Sequence, residues 1–371
     1  MAYMQRRRLV AAGDISGSDP YRYKLPKTGR FTGFEIELRC QRANARTLNT
    51  VVYPIETQID KVELLRGGTQ PIISLTGAQL DAMNYWDFKR PNPRRYRQNA
   101  ATEERLALFL LGGRGLYDRE YGYDMDKLGE TYLEIDHSLT ADATDKFDVS
   151  TSLLDVYAWQ WMGSGLPRFD GYFRSRQLAY WTTAAANTIK TIEIPVGNPI
   201  RRICLQAGTR AKTLGGTFTE AEVIVNDGEY SPVHIKSPMQ WCLAEGQEYG
   251  LHNELGGIDY LVTTSEMDLP SWWSYIHTVV ASLYGYAGAL ALNVHGITLP
   301  PRVAAAATGN QEFMFSLTGW GFQKCLRIGF DHEYDGFDLL PTAGLGALDL
   351  QVTEAAASLA VRCFVQDVIS Y

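Results

Sequence analysis

The chain has 371 residues, of which 45% are hydrophobic and 12% aromatic, and its formal net charge is −7 at pH 7. This composition excludes a disordered protein, and the acidic balance excludes a surface that grips nucleic acid over its whole extent. The length is sufficient for two domains, each with a sizeable core.

The amino-terminal segment 1–30 is basic and also contains Gly, Pro and Tyr. Arg6, Arg7 and Arg8 are three adjacent positive charges, followed by a short apolar run, Leu9–Ala12. That run is far too short for a secretory signal, so we expect the protein to begin in the cytoplasm. Because such a segment buries little apolar surface, it is predicted to be an arm that stays mobile until it meets a partner.

Alternation of apolar and polar residues predicts the strands of the first half, each with one face in water. A short helix is predicted at Thr76–Met83, and residues 87–105 form a polar loop rich in Arg and Pro, whose arginines we expect to form ion pairs between subunits rather than to contact phosphates. The predicted strands are Glu35–Cys40, Ile59–Leu65, Leu106–Leu111, Tyr132–Leu139 and Leu153–Trp161.

Gly163–Pro167 is the predicted linker between the halves, and further short strands follow it. Many short strands with few helical periods predict sandwiches or barrels rather than βαβ units. The predicted strands of the second half are Thr188–Pro195, Ile200–Gln206, Glu222–Asn226, Phe313–Thr318, Leu326–Phe330 and Ser358–Ile369.

One segment of the second half, Leu269–Pro301, contains no Asp, Glu, Lys or Arg. We predict that it is an insertion buried against a neighbouring subunit or domain. A membrane-spanning helix is the alternative, but such a helix would interrupt a β-domain.

A hairpin pattern of alternating apolar residues, a Gly turn and a Pro occurs twice, which predicts a duplicated β-domain. The matched positions keep one constant spacing along the chain: Val62 and Val223, Leu64 and Val225, Gly67 and Gly228, Pro71 and Pro232. Two weaker matches have successively larger offsets: Tyr132–His137 with Cys325–Phe330, and Leu154–Trp159 with Leu359–Phe364. Rising offsets predict insertions in the loops of the second copy.

The sequence contains no nucleotide-binding loop, nucleophile elbow or zinc-protease motif. Its five cysteines lack metal-ligand spacing, which indicates buried thiols, although a disulfide remains open. The acidic run Asp331–Asp338 matches the start of a calcium loop, but Thr342 stands where a bidentate carboxylate is needed, so a solvated turn is favoured. No metal and no cofactor is predicted.

A hypothesis from a different class is a carbohydrate-active or carbohydrate-binding β-sandwich protein, such as a phage tail or cell-wall component. Its sugar-stacking aromatics would be Trp272, Trp273 or the cluster Tyr117–Tyr123. Its acid and base would be Glu245 with either Glu248 or Asp331.

The duplicated pattern resembles the double jelly-roll major capsid proteins of tailless icosahedral viruses, including those that contain an internal membrane. The residues that carry the resemblance are Tyr53–Ile55, Ile59–Leu64, the Gly67-Gly68 turn, Ile72–Leu80, Tyr132–Ile135 and Leu153–Tyr157. The resemblance implies an all-β chain of two tandem eight-stranded jelly-roll sandwiches with short helices in loops. Their expected limits are residues 31–165 and 166–371 after a basic arm at 1–30, with inserted loops at about 245–310.

The same resemblance implies a capsid protein without enzymatic activity. Three chains would form a pseudo-hexameric homotrimer that assembles with other virion proteins into an icosahedral shell after synthesis in the host cytoplasm; a spike or tail protein is a related alternative. Arg6, Arg7 and Arg8 would then face inward and contact membrane lipid or the viral genome, each charge contributing about 1 kcal/mol near a negative membrane surface. Aromatic residues at predicted loops, such as Tyr85 and Trp86, would lie in subunit interfaces.

Overall fold

The computed structural model describes most of the chain and shows that it is built mainly of β-strands. The described residues are 1–15, 20–42, 55–92, 94–95, 97–98, 103–139, 147–208, 213–249, 253–261, 266–268, 273–284, 291–294, 297–299, 310–331 and 339–371.

The strands before the predicted linker are β1 Ala2–Asp14, β2 Tyr21–Lys24, β3 Arg30–Arg42, β4 Ile59–Arg66, β5 Gln70–Leu75, β6 Arg94–Arg95, β7 Arg97–Gln98, β8 Glu103–Leu111, β9 Tyr123–Asp124, β10 Thr131–His137 and β11 Phe147–Gly163. The strands after it are β12 Gly171–Thr182, β13 Ile189–Glu193, β14 Ile200–Ala207, β15 Phe218–Val225, β16 Tyr230–Ile235, β17 Asn253–Leu261, β18 Glu266–Asp268, β19 Trp273–Tyr284, β20 Ala291–Val294, β21 Ile297–Leu299, β22 Asn310–Phe322, β23 Cys325–Gly329, β24 Leu348–Glu354 and β25 Ala360–Ser370. The helices are α1 Gly77–Phe88, α2 Met125–Leu128 and α3 Pro238–Tyr249. The strands predicted from alternation are confirmed to within a few residues at their ends.

Each half contains the same two sheets, and strands that are distant in sequence pair within them. The order β1-β11-β3-β8 of the first half corresponds to β12-β25-β14-β23 of the second, and β2-β10-β4-β5 corresponds to β13-β24-β15-β16. Two additional sheets contain the strands between α3 and β23; their orders are β19-β22-β17-β7 and β18-β20-β21. We call the parts built from β1–β11 and from β12–β25 the first roll and the second roll. The predicted limits of the rolls, at positions 30 and 165, stay a prediction.

The repeated hairpin is confirmed. β4 pairs with β5, and β15 pairs with β16, and the turn glycines Gly67 and Gly228 both have positive φ, which glycine adopts without steric cost. A 12-residue helix follows each hairpin, and α1 and α3 begin at equivalent positions after their hairpins. The predicted helix at Thr76–Met83 is therefore α1. Its first turn is held by Thr76, which accepts a hydrogen bond from the Gln79 backbone while the Gln79 side chain accepts one from the Thr76 backbone.

The two weaker sequence matches are wrong in detail. Tyr132–His137 lies in β10, which pairs with the hairpin strand β4, whereas Cys325–Gly329 pairs with β14. The strand that pairs with β15, and is therefore equivalent to β10, is β24. Alternation alone does not identify a strand's partner, because every half-buried strand has the same period.

A shared β-bulge fixes the correspondence of the remaining strands. Leu9 is the extra residue of β1 opposite β11, and Leu178 is the extra residue of β12 opposite β25. Aligning these two bulges makes Ile36 of β3 equivalent to Leu205 of β14, in agreement with the order of the sheets. Val156 of β11 is then equivalent to Cys363 of β25, whereas the sequence match had paired Val156 with Val361.

The mobile basic arm predicted for residues 1–30 is wrong for its described part. Ala2–Asp14 forms the 13-residue strand β1, which pairs antiparallel with β11, and Tyr21–Lys24 forms β2, which pairs with β10. The reason is that a segment with little apolar surface of its own gains order by completing the backbone hydrogen bonds of an existing sheet.

The membrane-helix alternative for Leu269–Pro301 is also wrong where the segment is described, because Trp273–Tyr284 forms strand β19. Within the described parts of the chain, no helix is long and apolar enough to cross a membrane. One apolar core fills the first roll and extends to residues of the second, such as Tyr172 and Phe322, and another lies wholly within the second roll. All five cysteines are buried without forming a disulfide.

Candidate assembly interface

The two rolls are joined by a continuous sheet. Strand β5 of the first roll pairs in parallel with β12 of the second, so eight strands run in one order, β2-β10-β4-β5-β12-β25-β14-β23. Ile73 lies opposite Ser175 at this junction, and both are buried. Backbone pairing of this kind fixes the orientation of one roll against the other.

A cluster of buried charges lies beside this pairing. Asp87, at the end of α1, accepts hydrogen bonds from Arg201 at 2.9 Å and from Arg202, both on β14. Arg201 also donates to Asp331 at 2.8 Å and to Gln366 at 3.1 Å. The charged side chains are at most 3% exposed. Such a cluster holds its partners strictly in place, because separating any pair leaves a buried charge without compensation.

The sequence contains a signal for this cluster that the strand predictions did not use. Arg201-Arg202 interrupts the otherwise mostly apolar strand β14, every residue of which is buried. Adjacent buried charges in such a strand indicate an acidic partner from another element.

Polar and aromatic contacts extend the junction. Gln79 of α1 donates to Gln177 of β12 at 3.0 Å, and Gln323 donates to Asp81 at 2.5 Å. Tyr85 of α1 packs against Tyr249, Trp273 and Phe322 of the second roll; its ring stacks on Phe322 at a centroid distance of 4.9 Å. The expectation that Tyr85 and Trp86 lie at loops in subunit interfaces is therefore wrong: both are buried within the chain.

Tyr371, after the last strand of the second roll, also contacts the first roll. The Tyr371 hydroxyl accepts a hydrogen bond from the Asp124 backbone at 2.7 Å and donates to the Gly122 carbonyl at 2.8 Å. The Tyr371 ring also packs on Tyr172. Burial raises the pKa of Tyr371, so the hydroxyl keeps the proton that it donates.

Arg6 and Arg8 lie on β1 and are held by carboxylates of the same sheet. Arg6 donates two hydrogen bonds to Glu35, both at 2.8 Å, and its guanidinium lies over the Tyr157 ring. Arg8 pairs with Asp155. Arg7 points to the other side of the strand and is exposed. Two of the three charges proposed for lipid or genome are thus already compensated within the chain.

Glu245 of α3 is an enclosed carboxyl group. The residue as a whole is half-buried, but its Oε1 is buried and accepts no hydrogen bond from the described residues. Burial raises the pKa of Glu245 to about 8, with Glu248 raising it further and Arg327 and Arg202 opposing the increase. Glu245 is therefore protonated at neutral pH. Glu248 forms an ion pair with Arg327 at 3.5 Å.

The residues of the carbohydrate hypothesis do not form a site. Trp273 and Tyr123 are fully buried, so neither offers a ring face to a sugar. Asp331 is bonded to Arg201, and Trp272 lies outside the described residues. Tyr117 is exposed, whereas Tyr121 stacks on Phe173. Of the proposed acid and base, Glu245 and Glu248 lie near each other on α3, but Glu248 pairs with Arg327, and Asp331 is held in the charge cluster.

The predicted turn at Asp331–Asp338 lies outside the described residues except for Asp331. Among the described residues, no group of three or more His, Cys, Asp or Glu side chains is arranged to hold a metal ion.

Solved structures with this fold span nearly the whole chain, whereas no protein-family model and no curated protein matches it. The major capsid protein of Sulfolobus turreted icosahedral virus superposes with a TM-score of 0.61 at 10% identity, covering 99% of this chain and 97% of that one. The major capsid protein P2 of bacteriophage PM2 gives 0.54 at 12% identity, covering 99% and 98%. The PBCV-1 virus capsid gives 0.55 at 10% identity, covering 99% and 94%. The chain therefore has the double jelly-roll fold of these capsid proteins.

Proposed function

We propose that this chain is a major capsid protein that forms pseudo-hexameric trimers and assembles, with other virion proteins, into an icosahedral virus shell. The observation that supports the proposal is the junction of two equivalent rolls through a continuous sheet and a buried charge cluster. The similarity to three capsid structures along nearly their full length supports the same role.

Physically, a shell subunit has to present fixed surfaces to its neighbours, because small errors in orientation accumulate over a closed lattice. Two similar rolls per chain give six similar units in a trimer, and the junction makes the pair of rolls one rigid block. The proposed role requires no catalytic residues. The proposal places the protein in the virion after synthesis in the host cytoplasm.

The oligomeric state tests this proposal. The purified chain is expected to elute as a trimer in size-exclusion chromatography with light scattering, and to form shells or sheets at high concentration that are visible by negative-stain microscopy. A chain that stays monomeric at all concentrations contradicts the proposal.

Contact of Arg6, Arg7 and Arg8 with anionic lipid or genome stays a prediction, and the structure concentrates it on Arg7. Arg7→Ala is expected to weaken binding of the trimer to anionic vesicles at low salt by about fivefold, since one charge near such a surface contributes about 1 kcal/mol. Vesicle co-flotation measures the effect, with Arg6→Ala as the control of smaller expected effect. Unchanged binding by Arg7→Ala would show that the strand does not contact lipid.

A further inference from the structure

At the junction within the chain, one surface of the first roll meets a different surface of the second roll. Because the rolls are equivalent, each roll also has the kind of surface that the other contributes, and this second surface is not used within the chain. The first roll contributes β5 and α1, and the second contributes β12 and β14. The equivalent elements are β16 and α3 of the second roll, and β1 and β3 of the first. Within the described residues, β1 and β16 are both terminal strands of their sheets.

Helix α3, on the unused surface of the second roll, is exposed, whereas its counterpart α1 is covered. Nine of the 12 residues of α1 are buried, against three of the 12 residues of α3. Large apolar side chains are among the exposed residues of this surface: Met239 of α3 and Tyr230 of β16 are each 49% exposed.

The unused strands show the same contrast. Ile73 of β5 and Ser175 of β12 are buried opposite each other. Their equivalents are less covered: Val233 of β16 is half-buried, and the Arg6 side chain of β1 is 37% exposed. The exposed edge of a long strand is a template for pairing with another chain.

We propose that the two unused surfaces join different copies of this chain, with β16 of one copy pairing in parallel with β1 of the next and α3 packing beside it. This inference rests on the proposed capsid function and specifies the contact that builds the trimer. Because the two surfaces differ, the contact is head-to-tail, and three such contacts alternate with three intrachain junctions to close a ring of six rolls.

The register of the proposed contact follows from the equivalence of the two hairpins and of the two bulged strands. Val233 pairs with Val223 as Ile73 pairs with Leu64, and His234 pairs with Glu222 as Ser74 pairs with Glu63. Val233 therefore lies opposite Arg6 as Ile73 lies opposite Ser175, and His234 lies opposite Arg7 as Ser74 lies opposite Arg176. Gln240 of α3 comes close to Arg8, as Gln79 comes close to Gln177.

Charge favours this partner. Arg7 of β1 is exposed and comes opposite His234 in this register, and the carboxylates of Glu220 and Glu222 lie within 4 Å of His234. The guanidinium of Arg7 and these carboxylates attract each other, whereas Arg6 and Arg8 are already paired with Glu35 and Asp155 of their own sheet.

Disulfide trapping tests the contact. Chains carrying Arg7→Cys and His234→Cys are mixed as single variants and also prepared as a double variant, then oxidised and separated on non-reducing gels. The mixture is expected to give linked dimers, and the double variant a reducible ladder that ends at three chains. The matched control combines Arg7→Cys with Lys190→Cys, on the opposite edge strand of the sheet that contains β16, and is expected to give no ladder.

The outcomes separate this inference from the proposed function. If light scattering shows trimers but the gels show no ladder, or an equal ladder in the control, the proposed contact is overturned. The proposed capsid role is unaffected by that result. A monomer under all conditions overturns both.

Discussion

Asp87→Ala is expected to lower the free energy of unfolding by about 3–5 kcal/mol, the usual cost of removing one partner from a buried ion pair. The substitution leaves Arg202 buried without its carboxylate partner and weakens the hold on Arg201. The loss is measurable as a lower urea midpoint of the first unfolding transition. Because the cluster joins the rolls, the variant is also expected to form fewer trimers.

Two controls identify the charge cluster as the cause. Asp126→Ala removes an exposed carboxylate on α2 and is expected to change stability by no more than about 0.5 kcal/mol. Adding Arg202→Met to Asp87→Ala removes both charges and is expected to recover about 1–3 kcal/mol relative to the sum of the single effects. A loss below about 1 kcal/mol for Asp87→Ala would mean that the cluster does not stabilise the junction.

Glu245→Gln is expected to make the protein more stable at alkaline pH and to leave its stability at pH 4 nearly unchanged. The pKa of Glu245 is raised to about 8 by burial, well above its ordinary value of about 4.3 in the unfolded chain. The folded state therefore retains a proton that the unfolded state releases. The stability that this proton provides is full below the unfolded pKa and is lost as the pH rises through about 8.

The expected gain in the free energy of unfolding for Glu245→Gln at pH 9 is about 2–3 kcal/mol. The whole difference between the folded and unfolded pKa values would correspond to more, but the half-buried residue keeps access to solvent, which reduces the effect. Urea unfolding of both proteins from pH 4 to pH 9 measures this gain, and the difference between the two curves of unfolding free energy against pH removes the contribution of other groups. Glu248→Gln is the matched comparison, because it removes a neighbouring negative charge and is expected to lower the pKa of Glu245. The decline of the unfolding free energy with rising pH is then expected to end at a lower pH. If the curves of unfolding free energy against pH are parallel for Glu245→Gln and the unchanged protein, the carboxyl group of Glu245 is not enclosed.

The basic segment shows where sequence reasoning failed and why. Three adjacent arginines predict a mobile arm, because neither their local apolar content nor their charge indicates a strand. The strand exists because β11 provides a complete backbone partner and because Glu35 and Asp155 compensate two of the charges. Both partners lie far away in sequence, so local patterns contain no information about them.

The sequence by itself determined the all-β class, the strands with clear alternation and the duplication, because a period of two and the Gly-Pro turn of the hairpin are local properties of the chain. It also determined the helix after the first hairpin through the capping pair Thr76 and Gln79. Only the tertiary structure decided which strands are equivalent and which charges meet, since these depend on pairing between distant segments. Asp87 and Arg202 are 115 residues apart, and burial of both side chains in one junction is what turns two ordinary charges into the contact that orients the rolls.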